Sequence, residues 1–161
     1  MHENTERLHA ALAYDLKDTI EQRAVTCVSG PGAADAVRAA LALTATGPHV
    51  EVTAPRGATT AGFARTLYTA FHLDVHHGPA PAERAAANRR IDAHLARRST
   101  TLVVADAETL RRAVLQDLVG RWSRTPGPCA LILTGTHRLR PALTAASLDT
   151  LVYLWHQLDD V

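Results

Sequence analysis

The chain has 161 residues, of which 47% are hydrophobic, and its 17 Lys and Arg residues against 16 Asp and Glu residues give a formal net charge of +1. A chain of this length and composition is expected to form one domain with a sizeable core. The near-zero net charge excludes a protein-wide field that would attract nucleic acid or an anionic membrane, so any basic patch must be local.

The first predicted element is a helix, and it precedes all strands. Leu8, Leu12, Leu16 and Ile20 recur every four residues between polar neighbours, which predicts an amphipathic helix over 4–23. Short apolar runs rich in β-branched residues then predict strands at 24–30, 49–55, 100–106, 129–135 and 151–158. Helical patterns predict helices at 33–44, 59–71, 82–98, 107–124 and 139–146, and 76–83 is predicted to be a surface loop.

This alternation predicts an α/β fold. Strand, helix and strand units form right-handed crossovers, so we expect a three-layer α/β/α sandwich around a mostly parallel five-stranded sheet. The middle strands are nearly continuous in Val, Leu and Ile, as expected of strands buried on both faces. A single domain is expected to span 1–161, with the N-terminal helix at 4–23 and the core at 24–158.

The amino terminus and the cysteines favour a reducing compartment. The segment MHENTERLHAAL carries charges where a signal peptide is apolar, and no stretch approaches the roughly 20 apolar residues of a membrane span. Cys27 and Cys129 lie in or beside apolar runs and are expected to be reduced core thiols. We expect a cytoplasmic protein without membrane contact, and the Ala, Arg and Thr richness is typical of a GC-rich, bacterial genome.

The segment VTCVSGPGAADAVRAAL, 25–41, has the strand, glycine loop and helix order of a phosphate-binding loop. If Gly30 is the first glycine of G-x-x-x-x-G-K-[ST], then Asp35 stands at the second glycine, Ala36 at the lysine and Val37 at the hydroxyl residue. Alanine and valine supply neither the charge nor the magnesium ligand, and a carboxylate at the helix N-terminus repels phosphate. Alternatively, the glycines only permit a tight turn. The complete candidate loop is Gly30, Pro31, Gly32, Ala33, Ala34, Asp35, Ala36 and Val37.

Three segments together resemble the AAA-type P-loop ATPases, most closely the transposition helper ATPases of the TniB, TnsC and Mu B group. They are Gly30-Pro31-Gly32, LVVADAETL at 102–110 and LILTGTHRL at 131–139, with VTAPRGATTAGFARTLYTAF at 52–71 similar to the second strand and following helix. The resemblance covers 20–158 and implies the strand order 5-1-4-3-2. A helical lid normally follows the fifth strand in these ATPases, and because the sequence ends at 161 we expect no lid domain.

The acidic motif that this resemblance implies is incomplete. Aligning LVVADAETL with the pattern LVVDEAxxL puts Ala105 at the magnesium-holding aspartate and Asp106 at the water-activating glutamate. A shift by one residue makes Asp106 the magnesium acid and leaves Ala107 at the base. Alternatively, Asp106 is an ordinary helix N-cap. Thr134 or Thr136 stands at the sensor position of the resemblance.

Two further groups of residues have a spacing or charge that is typical of binding sites. A candidate basic patch on two helices consists of Arg89, Arg90, Arg97, Arg98, Arg111 and Arg112. It is either a solvated helix face or a surface for a phosphate backbone or an acidic partner, and Asp92 and Asp117 interrupt it. His72 and His76 have a zinc-like i,i+4 spacing if one helix spans both, but no third ligand follows, so no metal site is predicted.

The missing lysine and acid argue against an enzyme and favour a non-hydrolysing pseudo-ATPase that acts as an interaction or regulatory module. No cofactor is then expected, and the partner is a protein: a second copy of the chain or an active ATPase relative. Two alternatives stay open. One is a protein of the transposition-helper type that binds ATP and magnesium or hydrolyses ATP weakly, and the other is non-specific, weak DNA binding through the arginine helices.

Overall fold

The computed structural model describes residues 2–44, 47–97, 100–123 and 129–159. In this part of the chain the strands are β1 (Val25–Ser29), β2 (His49–Thr53), β3 (Thr101–Ala105), β4 (Leu131–Gly135) and β5 (Leu154–Gln157). The helices are α1 (His2–Gln22), α2 (Ala33–Ala42), α3 (Thr60–Ala70), α4 (Leu73–His77), α5 (Arg84–Arg97), α6 (Arg112–Trp122) and α7 (Leu139–Ala145). Two 3₁₀ turns lie at Ala107–Thr109 and Asp149–Leu151.

The five strands form a parallel sheet in the order β2-β3-β4-β1-β5, which confirms the order implied by the resemblance. Cys27 of β1 pairs with Leu133 of β4 on one side and with Trp155 of β5 on the other. Every residue of β1, β3 and β4 is buried, whereas β2 and β5 form the partly exposed edges. Because all strands run the same way, their carboxyl ends share one edge of the sheet.

Two hydrophobic clusters, one on each face of the sheet, make the three layers. Alternate residues of one strand enter different clusters, since Leu131 and Leu133 belong to the larger cluster and Ile132 to the smaller. Helices α1 and α2 cover the smaller cluster, where Leu12 and Leu16 are fully buried as the helical stripe predicted. Helices α3, α5, α6 and α7 cover the larger cluster. The α/β/α sandwich is therefore confirmed.

The helix predicted over 107–124 is interrupted within its first turns. Asp106 adopts a left-handed conformation with φ of 54°, a 3₁₀ turn follows, and Leu110 is extended before α6 begins. The Asp106 side chain makes no capping hydrogen bond. Asp106 therefore holds the N-cap position of the 3₁₀ turn, but it lacks the extended backbone and the side-chain hydrogen bond of an ordinary helix N-cap.

A break at His72 separates the two histidines that were considered as a zinc pair. Helix α3 begins at a cap in which the Thr59 hydroxyl accepts the Gly62 N–H at 3.0 Å, and it ends at Phe71. His72 then has φ of 56°, which turns the chain into the separate helix α4. The two histidines therefore do not share one helix face, and no group of three or more His, Cys, Asp or Glu side chains in the described ranges could hold a metal ion.

Candidate functional site

A cleft of about 530 Å³ lies at the carboxyl ends of β1, β4 and β5. We call it the carboxyl-edge cleft. It brings together the residues of the glycine loop from Gly30 to Asp35, the acidic residue Asp106 and the two sensor candidates Thr134 and Thr136. The sequence motifs did not predict five further lining residues, which are Gly135, His137, Gln157, Leu158 and Asp159.

Gly30 allows the loop to pass directly under the end of β5. Its N–H donates to the carbonyl of Gly135 at 3.0 Å, which ties the loop to β4. Its φ is 120°, and a Cβ at this position would lie 2.2 Å from the backbone oxygen of Leu158. Gly32 has φ of 66° and open space around it. At Gly30, packing alone requires glycine, which supports the tight-turn interpretation for that residue.

Helix α2 begins earlier than the phosphate-loop motif assumes. It starts at Ala33, directly after Gly32, so Ala36 and Val37 lie within the helix and pack into the smaller hydrophobic cluster. These two positions therefore face the core and not the cleft. The residues that the first turn presents to the cleft are Ala33, Ala34 and Asp35, none of which carries a positive charge.

Asp35 is held by an arginine that the sequence analysis did not single out. Arg38 pairs with Asp35 and also donates to Glu51, through Nε at 2.8 Å and Nη2 at 3.0 Å. The hydrogen bonds and charge of Glu51, with those of Asp35, raise the pKa of the Arg38 guanidinium. The i,i+3 spacing of Asp35 and Arg38 is the signal that predicts this pair. Arg38 thus partly offsets the negative charge that Asp35 brings to the helix N-terminus.

Glu108 is a second acid beside the cleft that the motif alignment passed over. Its Oε1 accepts the N–H of Thr136 at 2.9 Å, and its Oε2 is buried without a hydrogen-bond partner within the described residues. A Cβ on Gly135 would lie 2.1 Å from Oε2, so the glycine makes room for this carboxylate. Glu108 therefore connects the acidic segment after β3 to the sensor segment after β4, whereas Asp106 is exposed in the cleft.

The two sensor candidates have different surroundings. Thr134 is only 1% exposed, and its hydroxyl has no hydrogen-bond partner in the described ranges. A buried hydroxyl left unpaired costs about 1–3 kcal/mol, so Thr134 is a place where a ligand or water could be accommodated. Thr136 is exposed, and its hydroxyl accepts the N–H of Arg138 at 3.3 Å. Of the two threonines, Thr134 is therefore the one whose hydroxyl lacks a hydrogen-bond partner in the part of the chain that the structure describes.

The candidate basic patch does not form one surface. Arg97 precedes β3 and Arg111 follows it, so the two lie toward opposite edges of the sheet, separated by a five-residue strand that spans roughly 16 Å. The Asp92 carboxylate binds Arg121 at 2.6 Å, and Asp117 lies 3.7 Å from Arg84. Arg98 lies outside the described residues. The patch is thus divided into Arg89, Arg90 and Arg97 on α5, and Arg111 and Arg112 at the start of α6.

Comparison with known proteins supports the fold. No protein-family model and no curated protein matches the chain. The structure of Drosophila ORC bound to DNA matches with a TM-score of 0.66 and 16% identity, over 98% of this chain and 31% of that one. Cdc6p from Pyrobaculum aerophilum matches with a TM-score of 0.61 and 14% identity, over 83% of this chain and 38% of that one. The chain has a P-loop NTPase-like fold. It spans about a third of the length of these solved chains, and the specific relation to the transposition helpers stays a prediction.

Among the helices that the structure describes, none is both long enough and apolar enough to cross a bilayer.

Proposed function

We propose that the protein is a non-hydrolysing ATPase-like domain that acts as an interaction or regulatory module. The observation that carries the proposal is the charge of the carboxyl-edge cleft. Its lining contains three carboxylates, Asp35, Asp106 and Asp159, together with His137 and without Lys or Arg among the described residues, and only the charge of Asp35 is partly offset, by Arg38 behind the lining. A cleft of this kind repels the triphosphate that a P-loop normally neutralises with its lysine.

The positions of the missing groups support the same proposal. Ala36 and Val37, which the motif places at the lysine and the hydroxyl residue, face the core. A single substitution to lysine there would put an ammonium group among apolar side chains instead of in the cleft, which is costly. The cleft therefore departs from a working phosphate loop in its backbone as well as in its side chains.

We expect no ATP hydrolysis above a buffer control, because the cleft lacks a cation that could stabilise charge on the transferred phosphoryl group. The measurement is phosphate release from ATP with and without magnesium. Wild-type protein is compared with the Asp106→Ala variant, which removes an exposed acid of the cleft. Magnesium-dependent release by the wild type that disappears in the variant would contradict the proposal. Release that is equal in both proteins indicates a contaminating ATPase.

A second candidate function, ATP binding without hydrolysis, is favoured by one observation. The hydroxyl of Thr134 is buried beside the cleft without a partner in the described residues, and the N-terminus of α2 offers backbone N–H groups nearby. In this alternative, Asp106 would hold magnesium, and the charge of the ion would reduce the repulsion between ATP and the cleft acids. The calorimetric titration at the end of the Discussion distinguishes the two functions.

The partner is proposed to be a protein, either a second copy of this chain or an active ATPase relative. The similar solved structures include Drosophila ORC bound to AT-rich DNA and Cdc6, with a TM-score of 0.62 and 17% identity. Edge strand β5 supports a protein surface, since Tyr153 just before it is 47% exposed and Trp155 stacks under Arg140 at 4.8 Å. DNA contact is expected to be weak, because Asp92 and Asp117 offset arginines of α5 and α6.

A further inference from the structure

A second cavity lies at the opposite edge of the sheet, where β2 and β3 begin. Its volume is about 550 Å³, within the range of small-molecule sites. Residues at the end of α3, on α4 and on the last turns of α5 surround it, together with Pro48 before β2 and Thr100 before β3. We call it the amino-edge cavity. It is remote from the carboxyl-edge cleft and shares no lining residue with it.

The charged and titratable side chains that line the amino-edge cavity are all basic. They are His72, His76, His77, Arg90, His94 and Arg97. The described lining includes no Asp or Glu, although acidic and basic residues nearly balance in the whole chain. This local excess is the opposite of the carboxyl-edge cleft, whose charged lining is mostly acidic.

Arg90 is fixed in place before any ligand arrives. Its Nη1 donates to the hydroxyl of Tyr68 at 2.9 Å and to the carbonyl of His77 at 3.4 Å. Tyr68 is fully buried, and its hydroxyl also donates to the carbonyl of Gly78 at 3.3 Å. An arginine anchored through one nitrogen loses less side-chain entropy when its remaining donors bind an anion.

The imidazoles bring further hydrogen-bonding groups to the cavity. His72 and His76 belong to the α4 segment, and His94 packs on the ring of Phe71 with 5.5 Å between ring centroids. An imidazole ring N–H can donate to a phosphate oxygen beside the two arginines.

We propose that the amino-edge cavity is a binding site for a phosphate group. Arginine recognises phosphate with directed, charge-assisted hydrogen bonds, and the surrounding imidazoles add hydrogen-bond donors. The cavity can admit the phosphate end of a small phosphorylated molecule, or one phosphate of a nucleic-acid strand at the surface. Both sources present the same chemistry to Arg90 and Arg97.

The test uses inorganic pyrophosphate as the probe in calorimetric titrations. The Arg97→Gln/His76→Gln variant removes two exposed groups of the lining and leaves the anchored Arg90 intact. The matched control is Arg89→Gln, because Arg89 is exposed on the same helix but does not line the cavity. We expect saturable binding to the wild type that weakens at least tenfold in the double variant, with the control unchanged.

A second titration, with a 12-nucleotide single-stranded oligonucleotide, distinguishes between the two sources of the phosphate group. Binding tighter than that of pyrophosphate, with the same sensitivity to the double variant, assigns the site to a nucleic-acid strand. Weaker binding assigns it to a small phosphorylated molecule. Absence of pyrophosphate binding to the wild type would overturn the proposal, as would equal binding by the double variant and Arg89→Gln. Circular dichroism of each variant shows that a loss of binding is not a loss of folding.

Discussion

Replacement of Gly30 by alanine is expected to lower the free energy of unfolding by about 3 kcal/mol or more. The new Cβ would lie 2.2 Å from the carbonyl oxygen of Leu158, a backbone atom, at a φ of 120° that side chains rarely adopt. Leu158 cannot easily move away, because its N–H donates to the Ser29 carbonyl at 2.7 Å. The strain must therefore separate β5 from β1 or distort the loop.

Gly32→Ala is the matched control for this prediction. Gly32 also has a positive φ, 66°, but nothing lies within 4 Å of the Cβ position. In Gly32→Ala only the left-handed backbone conformation is unfavourable, and we expect it to lower the free energy of unfolding by about 1–2 kcal/mol. Urea unfolding followed by circular dichroism measures both variants. Equal losses of stability in Gly30→Ala and Gly32→Ala would show that the approach of Leu158 does not constrain the loop.

Stability is expected to fall steeply as the pH rises above about 9, because both cysteines are buried as neutral thiols. Burial raises the pKa of Cys27, and it raises the pKa of Cys129 to about 11, although the N–H that Trp122 donates to the Cys129 sulfur partly opposes this. In the unfolded chain the thiols ionise near pH 8.5. Above that pH the unfolded state binds fewer protons than the folded state, so each thiol removes roughly 1 kcal/mol of stability per pH unit.

Urea unfolding at pH 8.0, 9.0 and 10.0 measures this loss. Cys27→Ala and Cys129→Ala should each be less stable at pH 8.0 because of the cavity they create, but each should show a shallower decline with pH. Tyr153→Phe is the control for the ionisation of a residue other than cysteine. The hydrogen bond that the Tyr153 hydroxyl donates to Asp18 also raises the pKa of Tyr153. A decline that is as steep in both cysteine variants as in the wild type would contradict the account.

The layers of the fold follow from the sequence pattern, because periodicity reports burial. The runs around Val25, Leu102 and Leu131 are apolar throughout, and the structure buries them on both faces. Strand order did not follow from the pattern. It depends on which crossovers form, and only the resemblance to P-loop ATPases predicted it correctly.

The details of the cleft were less predictable, because they depend on backbone conformation and on pairs distant in sequence. The motif alignment could not show that α2 starts at Ala33 and turns Ala36 toward the core. It also missed Glu108, whose partner Thr136 lies beyond β4. By contrast, the separation of Arg97 from Arg111 follows from the strand predicted at 100–106, which lies between them in the structure as β3.

The most direct test of the non-hydrolysing, interaction-module account is a calorimetric titration with ATP and magnesium. The Arg97→Gln/His76→Gln variant is the background for this titration, because the two substitutions suppress phosphate binding at the amino-edge cavity. Ala34→Glu in the same background adds a fourth carboxylate to the cleft lining and serves as the blocked control. We predict no saturable heat up to millimolar ATP in either protein. The result that would contradict the account is stoichiometric ATP binding that Ala34→Glu abolishes. A dissociation constant below about 100 µM, equivalent to more than about 5 kcal/mol of binding free energy, would assign the cleft to ATP.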